Sequence, residues 1–382
     1  MKKNGRIFFS AILLALLFIV GSWFITEQAL PEVEGIGDED PVIAPVVEEP
    51  EITLAAVGDV MLARKLSKLM ESKGLDYPFT KTAGLLSSAD IAFANLESPF
   101  SHRGKQLPGK GIWFRAKPEN IQALTQAGFD VLSIANNHAL DYDSPAFLDT
   151  IQLLNENNIR AVGGGANIDE ARTPVIIEED GLKTAFLAYS EMADMFWSYK
   201  YPRRLKADAD TPGIAPSVPE QIEEDIALIR PNADLVVVSL HWGVEYQSEP
   251  EDYQREMAHS LIDAGADIII GHHPHCIQGI EIYQGGLIAY SLGNFVFDQN
   301  WSEETKQGLL LQIKCGPQGW QEAKVLPVYI NDGQPVIAED SIADRILSLT
   351  RRISEKLDTE IIIEGKTGLL INNQQGAKDE KI

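Results

Sequence analysis

Apolar and polar positions along this 382-residue chain switch between two periods. Short unbroken runs rich in Val, Ile and Ala, the pattern of strands buried on both faces, alternate with stretches that are apolar every three or four positions, as on one face of a helix. Residues 52–58 (ITLAAVG), 89–97 (ADIAFANLE), 129–137 (FDVLSIANN), 233–243 (ADLVVVSLHWG) and 267–271 read as strands. Helices are expected over 62–73, 118–127, 144–157, 219–229 and 250–264, the third with Ser144 as its cap and Pro145 in its first turn. Residues 174–177 and 183–189 read as a hairpin around Gly181, and 306–330 as antiparallel strands closing the domain. This alternation predicts a layered α/β domain with a largely parallel sheet. There is no internal repeat, and the last ten residues, which are polar, are expected to fray.

The amino-terminal pattern is different. Lys2, Lys3 and Arg6 precede nineteen uncharged residues, Ile7 to Ile25, enough helix to span a bilayer core. The positive charges predict a cytoplasmic tip over 1–6, an uncleaved anchor over 7–25 and an extracellular remainder. A signal peptide is the rival reading, but the apolar run is long for one and no small-x-small site follows it. Residues 26–51 follow as a linker, rich in proline and with eight acidic residues between Leu30 and Glu51, that self-repels and cannot build a core. The folded domain is then expected over 52–335, with a partly helical extension over 336–382.

Composition narrows the function. Lys and Arg total 32 against 56 Asp and Glu, a net charge of -24, which argues against nucleic acid as a partner. The two cysteines, Cys276 and Cys315, have no CxxC spacing, so they exclude a zinc finger and allow at most one disulfide.

The chemistry lies at the strand ends. They carry Gly58-Asp59, then Asn95-Leu96-Glu97, then Asn136-Asn137-His138 with Asp141, then His241-Trp242-Gly243 with Glu245, and finally Gly271 followed by His272, His273 and His275. Pro274 predicts an extended backbone at His273, which would place His273 and His275 on one face. Ser291, Gly293, Asn294 and Asp298 form a further polar cluster after the next apolar runs. Ligands of open α/β sheets gather outside the carboxyl ends of strands, so these residues are expected on one rim. Mixed oxygen and imidazole donors suit Mn, Zn or Fe, in pairs for hydrolysis. Taken singly, Asp59 could cap the next helix, Asn95 and Glu97 could end a strand in a turn, and His241 could be a neutral core histidine. Five such ends in succession are hard to attribute to chance. Asn95, Asn136, Glu245 and Asn294 are candidate substrate contacts. His102 and His259 read as exposed or packing residues, Cys276 as buried, and the stretch with Trp197, Tyr199, Tyr201, Arg203 and Arg204 as an exposed loop.

Six motifs in order, GDVMLAR, ANLESP, SIANNHALDY, LHWGVEY, GHHPHCIQGIE and YSLGNFVFDQ, resemble those of the capsule and poly-γ-glutamate biosynthesis proteins of the CapA or PgsA type. The resemblance runs from about Ile52 to Trp301. It implies a calcineurin-like metallophosphoesterase-type αββα sandwich behind an N-terminal transmembrane helix, and membrane-bound poly-γ-glutamate synthase subunits as partners. It also implies Asp59, Glu97, Asn137, His241, His273 and His275 as ligands of divalent metal, with His272 as a substitute for His273. His138 is implied as general acid or transition-state donor, with Asp141 beside it. Where that fold usually has a histidine two residues after the first aspartate, this chain has Met61. The function expected is a membrane-anchored extracellular component of capsule synthesis or export, acting on an anionic polymer or a phosphorylated intermediate. An extracellular phosphoesterase unrelated to capsule and a catalytically inactive assembly subunit are the alternatives.

Overall fold

The computed structural model describes residues 49–200 and 204–373. The expected anchor over 7–25, nearly all of the acidic linker, Tyr201, Arg203 and the polar tail lie outside the described residues. Among the described residues no helix is long and apolar enough to cross a membrane.

The chain begins with parallel strands joined by helices. β1 (Ile52–Val60) leads through α1 (Arg64–Lys73) and α2 (Ala83–Leu86) to β2 (Ile91–Leu96). α3 (Ile121–Ala127) leads to β3 (Val131–Ser133), and α4 (Asp143–Glu156) to β4 (Arg160–Val162). The four strands lie side by side in that order. A small pair, β5 (Gly164–Gly165) with β8 (Gly213–Ile214), and the short α5 (Ile168–Arg172) accompany the crossing to a second sheet. There the expected hairpin forms from β6 (Val175–Glu179) and β7 (Leu182–Ser190). α6 (Pro219–Ile229), β9 (Leu235–His241), α7 (Asp252–Asp263) and β10 (Ile268–His272) continue the parallel run, and β11 (Ile280–Tyr283) with β12 (Gly286–Ala289) completes the order β11-β12-β10-β9-β7-β6. The chain then returns to the first sheet. β13 (Asn294–Val296) pairs with the end of β1, β14 (Gln307–Gly316) runs antiparallel beside β1, and β15 (Gly319–Asn331) and β16 (Gln334–Ile337) follow.

Strand alternation decides the layers. Val237, Ile268 and Ile270 of the second sheet join the large core that holds Ala56, Phe93 and Leu132 of the first, and the rings of Phe93 and Phe186 stack 5.6 Å apart between the sheets. Val236, Val238 and Ile269 point the other way, into a second core with Ile222 and Ile226 of α6 and Leu261 of α7. Leu66, Leu124 and Phe147 bring α1, α3 and α4 against the first sheet. The layered α/β expectation therefore holds.

Several local expectations change. β3 is shorter than 129–137, because Asn136 N closes a turn on Ile134 O (3.1 Å) and moves Asn136, Asn137 and His138 into a loop. α4 starts at Asp143 after Tyr142, so Ser144 lies inside the helix rather than at its cap, and the Asp143 carboxylate accepts the Ser144 N–H (2.8 Å). β10 runs through Gly271 to His272 instead of stopping at the glycine. The described part of the C-terminal segment, 336–373, packs into the domain. α8 (Asp340–Glu355) packs on β15, and the hairpin β17 (Ile362–Glu364) with β18 (Thr367–Ile371) adds to the first sheet through β15. Cys276 and Cys315 are both buried free thiols.

Two glycines set the strand ends. A Cβ on Gly58 would lie 1.9 Å from Gly293 O, and one on Gly271 would lie 1.9 Å from Tyr290 O. Only glycine lets the neighbouring backbone approach this closely just before Asp59 and His272.

Candidate metal centre

Strand register brings the polar ends together. Asp59 lies opposite Asn95 on β2 and Asn294 on β13, and His241 lies opposite His272 across β9 and β10. Asp59, Asn95, Glu97, His241, His272, His273 and His275 are all buried. One ligand atom each from Asp59, Glu97 and His275 lies within 4.8 Å of the others. His272 Nδ1 is 3.3 Å from Asp59 Oδ1, His275 Nδ1 is 3.3 Å from Asp59 Oδ2, and His241 Nδ1 is 3.6 Å from Glu97 Oε1. On the other side of His241, Nε2 is 3.2 Å from Asn137 Oδ1, and the His273 ring stands 4.7 Å away.

The histidine turn is not extended. His273 has φ 102° and His275 φ 55°, so the preference imposed by Pro274 is overridden by the surrounding packing. Its two rings diverge, with centroids 6.2 Å apart, His273 toward His241 and His275 toward Asp59 and Glu97.

Three asparagines expected as substrate contacts hold the site from behind. Asn95 donates to Asp59 Oδ1 (2.9 Å) and Glu97 Oε1 (3.2 Å). Asn136 donates to Asn95 Oδ1 (3.1 Å) and Leu96 O (2.8 Å), and accepts the His138 N–H (3.0 Å). Asn294 Oδ1 sits 2.9 Å from His275 Nδ1, and its amide donates to Gln299 and Thr305 O. All three are fully buried, so scaffold is the part the structure gives them. Glu245 alone of that set is exposed, at the rim.

The residues present fit a cation. Asp59 Oδ2, Glu97 Oε2, both ring nitrogens of His272 and Nδ1 of His273 are buried without a hydrogen-bond partner. Buried polar atoms are almost always satisfied, and the unpartnered oxygens of Asp59 and Glu97 belong to the carboxylates that meet His275 within 4.8 Å, which calls for a ligand. Anchoring His275 Nδ1 on Asn294 leaves Nε2 as the donor, 3.9 Å from Glu97 Oε2. Met61, at the position of the missing histidine, turns its sulfur to the Ala63 N–H (3.1 Å), while His272 stands beside Asp59.

Electrostatics agree. Burial pushes the Asp59 carboxyl up, but His272 and His275 outweigh this and hold it well below its ordinary value. Burial and the neighbouring Asp59 charge push Glu97 up to about 8. Burial lowers His275, yet Glu97 and Asp59 carry it up to about 9, while burial and nearby histidines bring His273 down to about 3 and His241 well below its ordinary value. Packed carboxylates in a low dielectric demand positive charge, from a proton on His275 or from a metal.

Beside this cluster His138 is held differently. Its Nδ1 is 2.7 Å from Asp141 Oδ2, and the Phe114 ring stacks on it at 3.8 Å. Asp141 Oδ2 also accepts the Phe114 N–H (2.6 Å), and its Oδ1 pairs with Lys110. With Oδ2 accepting the Phe114 N–H and facing His138 Nδ1, the imidazole proton falls on Nδ1 and Nε2 is left as an acceptor. Burial and the Lys110 charge bring His138 down to about 4, which favours the neutral imidazole. Asp141 is fully buried and acts through His138. Lys110 went unrecognised in the sequence, although its setting, Pro108-Gly109-Lys110-Gly111, was a usable signal. His102 is exposed, and His259 packs on Tyr283 at 3.7 Å and meets Glu281 at 2.9 Å.

Comparison with known proteins follows this geometry. A family model described as bacterial capsule synthesis protein PGA_cap matches residues 53–299. Capsule biosynthesis protein CapA of Bacillus anthracis is 34% identical over 87% of this chain and 78% of its own length. PGA biosynthesis protein CapA of Bacillus subtilis (strain 168) is 31% identical over 91% of this chain and 87% of its own. A probable polyglutamine synthesis accessory protein of Mycobacterium tuberculosis is 30% identical over 64% of this chain and 66% of its own. The matched span runs from β1 to just past β13 and takes in every residue of the cluster, and the chain belongs to the bacterial capsule synthesis protein family PGA_cap.

Proposed function

We propose that this chain is a membrane-anchored, outward-facing component of poly-γ-glutamate capsule synthesis or export, working beside membrane-bound synthase subunits. In this reading its calcineurin-like αββα domain holds Mn, Zn or Fe and handles the polymer or a phosphorylated intermediate. The names of the Bacillus relatives support the capsule assignment, and the uncharged run over 7–25 supports the anchor. The observation that carries the metal reading is the convergence of Asp59, Glu97 and His275 with buried oxygens left unpartnered. His241, His273 and Asn137 flank that point, and His272 stands beside Asp59.

A bound divalent ion would supply Lewis acidity and an activated water. The chain's own residues do the rest. Asn95 and Asn294 fix the ligands, and His138, protonated at Nδ1 toward Asp141, offers Nε2 to take a proton at the mouth of the cleft. The acidic surface repels a polyanion except where a cation sits, which confines contact to the cleft.

Metal content of the purified full chain tests this directly. Near-stoichiometric Mn, Zn or Fe, lost in the His273→Ala/His275→Ala double variant, is the expected result. A folded wild-type chain that stays empty after incubation with those ions overturns the metal reading. Restoring polymer output to a gene-deleted strain with the His138→Ala chain at normal levels would overturn the catalytic part.

A further inference from the structure

Lys110 is buried where a lysine would ordinarily reach for water. Its side chain is only 3% exposed, and its ammonium donates to Asp141 Oδ1 and to Asn137 O. It also stands 3.2 Å from His138 Nδ1 and 5.0 Å from the Trp197 ring centroid. Placing a charge there is unfavourable unless it is closely paired.

The stretch 104–114 wraps around Asp141. Leu107 N donates to Asp141 O (2.8 Å), and Phe114 N to Asp141 Oδ2 (2.6 Å). Gly109 and Gly111, with φ 83° and 91°, flank the lysine, and a Cβ on Gly109 would come within 2.7 Å of Ser198 Cβ. Those backbone bonds already fasten the loop, so the lysine is not needed for that alone. What it adds is occupancy of Oδ1. With Oδ1 held by the ammonium and Oδ2 by the Phe114 N–H, the carboxylate is fixed at both oxygens, and Oδ2 stays on His138 Nδ1.

We propose that Lys110 is a positioning residue for His138: by claiming the Asp141 oxygen that His138 does not use, it holds the imidazole in the Nδ1-protonated tautomer with Nε2 free. The proposal concerns which ring nitrogen carries the proton, and its link to catalysis rests on the reading of His138 given above.

The test is nitrogen NMR of the full chain labelled at histidine, with His138→Gln assigning the signals. The wild type should show one His138 tautomer, protonated at Nδ1. Lys110→Met should lose that single state to a mixture, and Lys110→Arg, which keeps a cationic donor, should restore most of it. Loss of thermal stability would accompany a loop-holding role as well, but a tautomer change would not. A folded Lys110→Met chain with an unchanged His138 spectrum overturns the proposal. If that variant does not fold, a wild-type His138 protonated at Nε2 overturns it unaided. Metal content, measured separately, reports on the metal reading, so the two can fail independently.

Discussion

The two ends of the same strands put carboxylates to opposite uses. At the amino ends, an aspartate just before one strand accepts a backbone N–H at the start of its neighbour. Asp90 takes Thr53 N (2.6 Å), Asp130 takes Ala92 N (2.8 Å), Asp234 takes Lys183 N (2.8 Å) and Asp267 takes Val236 N (2.7 Å). At the carboxyl ends, Asp59 and Glu97 are buried more deeply and each keeps an oxygen without a hydrogen bond. Residue type does not separate these groups. Hydrogen-bond accounting does: the satisfied aspartates tie strands into register, and the unsatisfied pair is organised for a ligand.

Substitutions should expose that contrast. The largest effect is expected from Asp59→Ala, which removes a ligand and should weaken metal affinity by about 100-fold or more, beyond what loss of a supporting residue does. Titration of the purified chain with Zn against a competing chelator measures it. Asn294→Ala leaves every ligand in place but frees His275 Nδ1, and the same titration should show a loss of about 10–100-fold. Asp130→Ala should behave in the opposite sense. Ala92 N loses its acceptor, so urea unfolding should report a loss of about 1–3 kcal/mol while metal content stays at the wild-type level. Equal metal loss in Asp59→Ala and Asp130→Ala would erase the distinction between the two ends.

The smallest effect concerns pH. The Arg103 guanidinium holds the Asp149 carboxyl below its ordinary value, so the stability it contributes is present above the unfolded value, about 3.9, and is lost as pH falls through the lower folded one. The pair is largely exposed, and screening keeps its contribution small. Asp149→Asn should therefore lower the urea midpoint slightly at pH 7, and the gap should close in acid. A gap that persists once the carboxyl is protonated in the folded state as well would mean that the aspartate contributes something other than its charge.

Much of this was legible from the sequence because local pattern and function coincide at strand ends. The parallel strands announce themselves as apolar runs, and Asp59, Glu97, His241 and the histidine cluster follow them immediately. Lys110 was missed because it comes from an irregular stretch 31 residues before Asp141, and nothing periodic connects them. Asn294 was recognised as part of the site but not in its role. Whether an amide faces a cleft or the back of an imidazole depends on the register of β13 against β1. The hairpin over 362–371 was missed because all of its residues but Gly368 and Leu370 are exposed or partly so, which blurs strand alternation at a sheet edge.

The close approaches at Gly58 and Gly271 bear on how such a cleft can diversify. Its floor is made of main chain against main chain, Gly58 on Gly293 and Gly271 on Tyr290, and no choice of side chain can thicken or thin it. Room for side chains to differ is left to segments such as 191–200, 242–251 and 297–306, where Tyr199, Tyr246 and Trp301 are exposed. Inheritance is rigid below and permissive above.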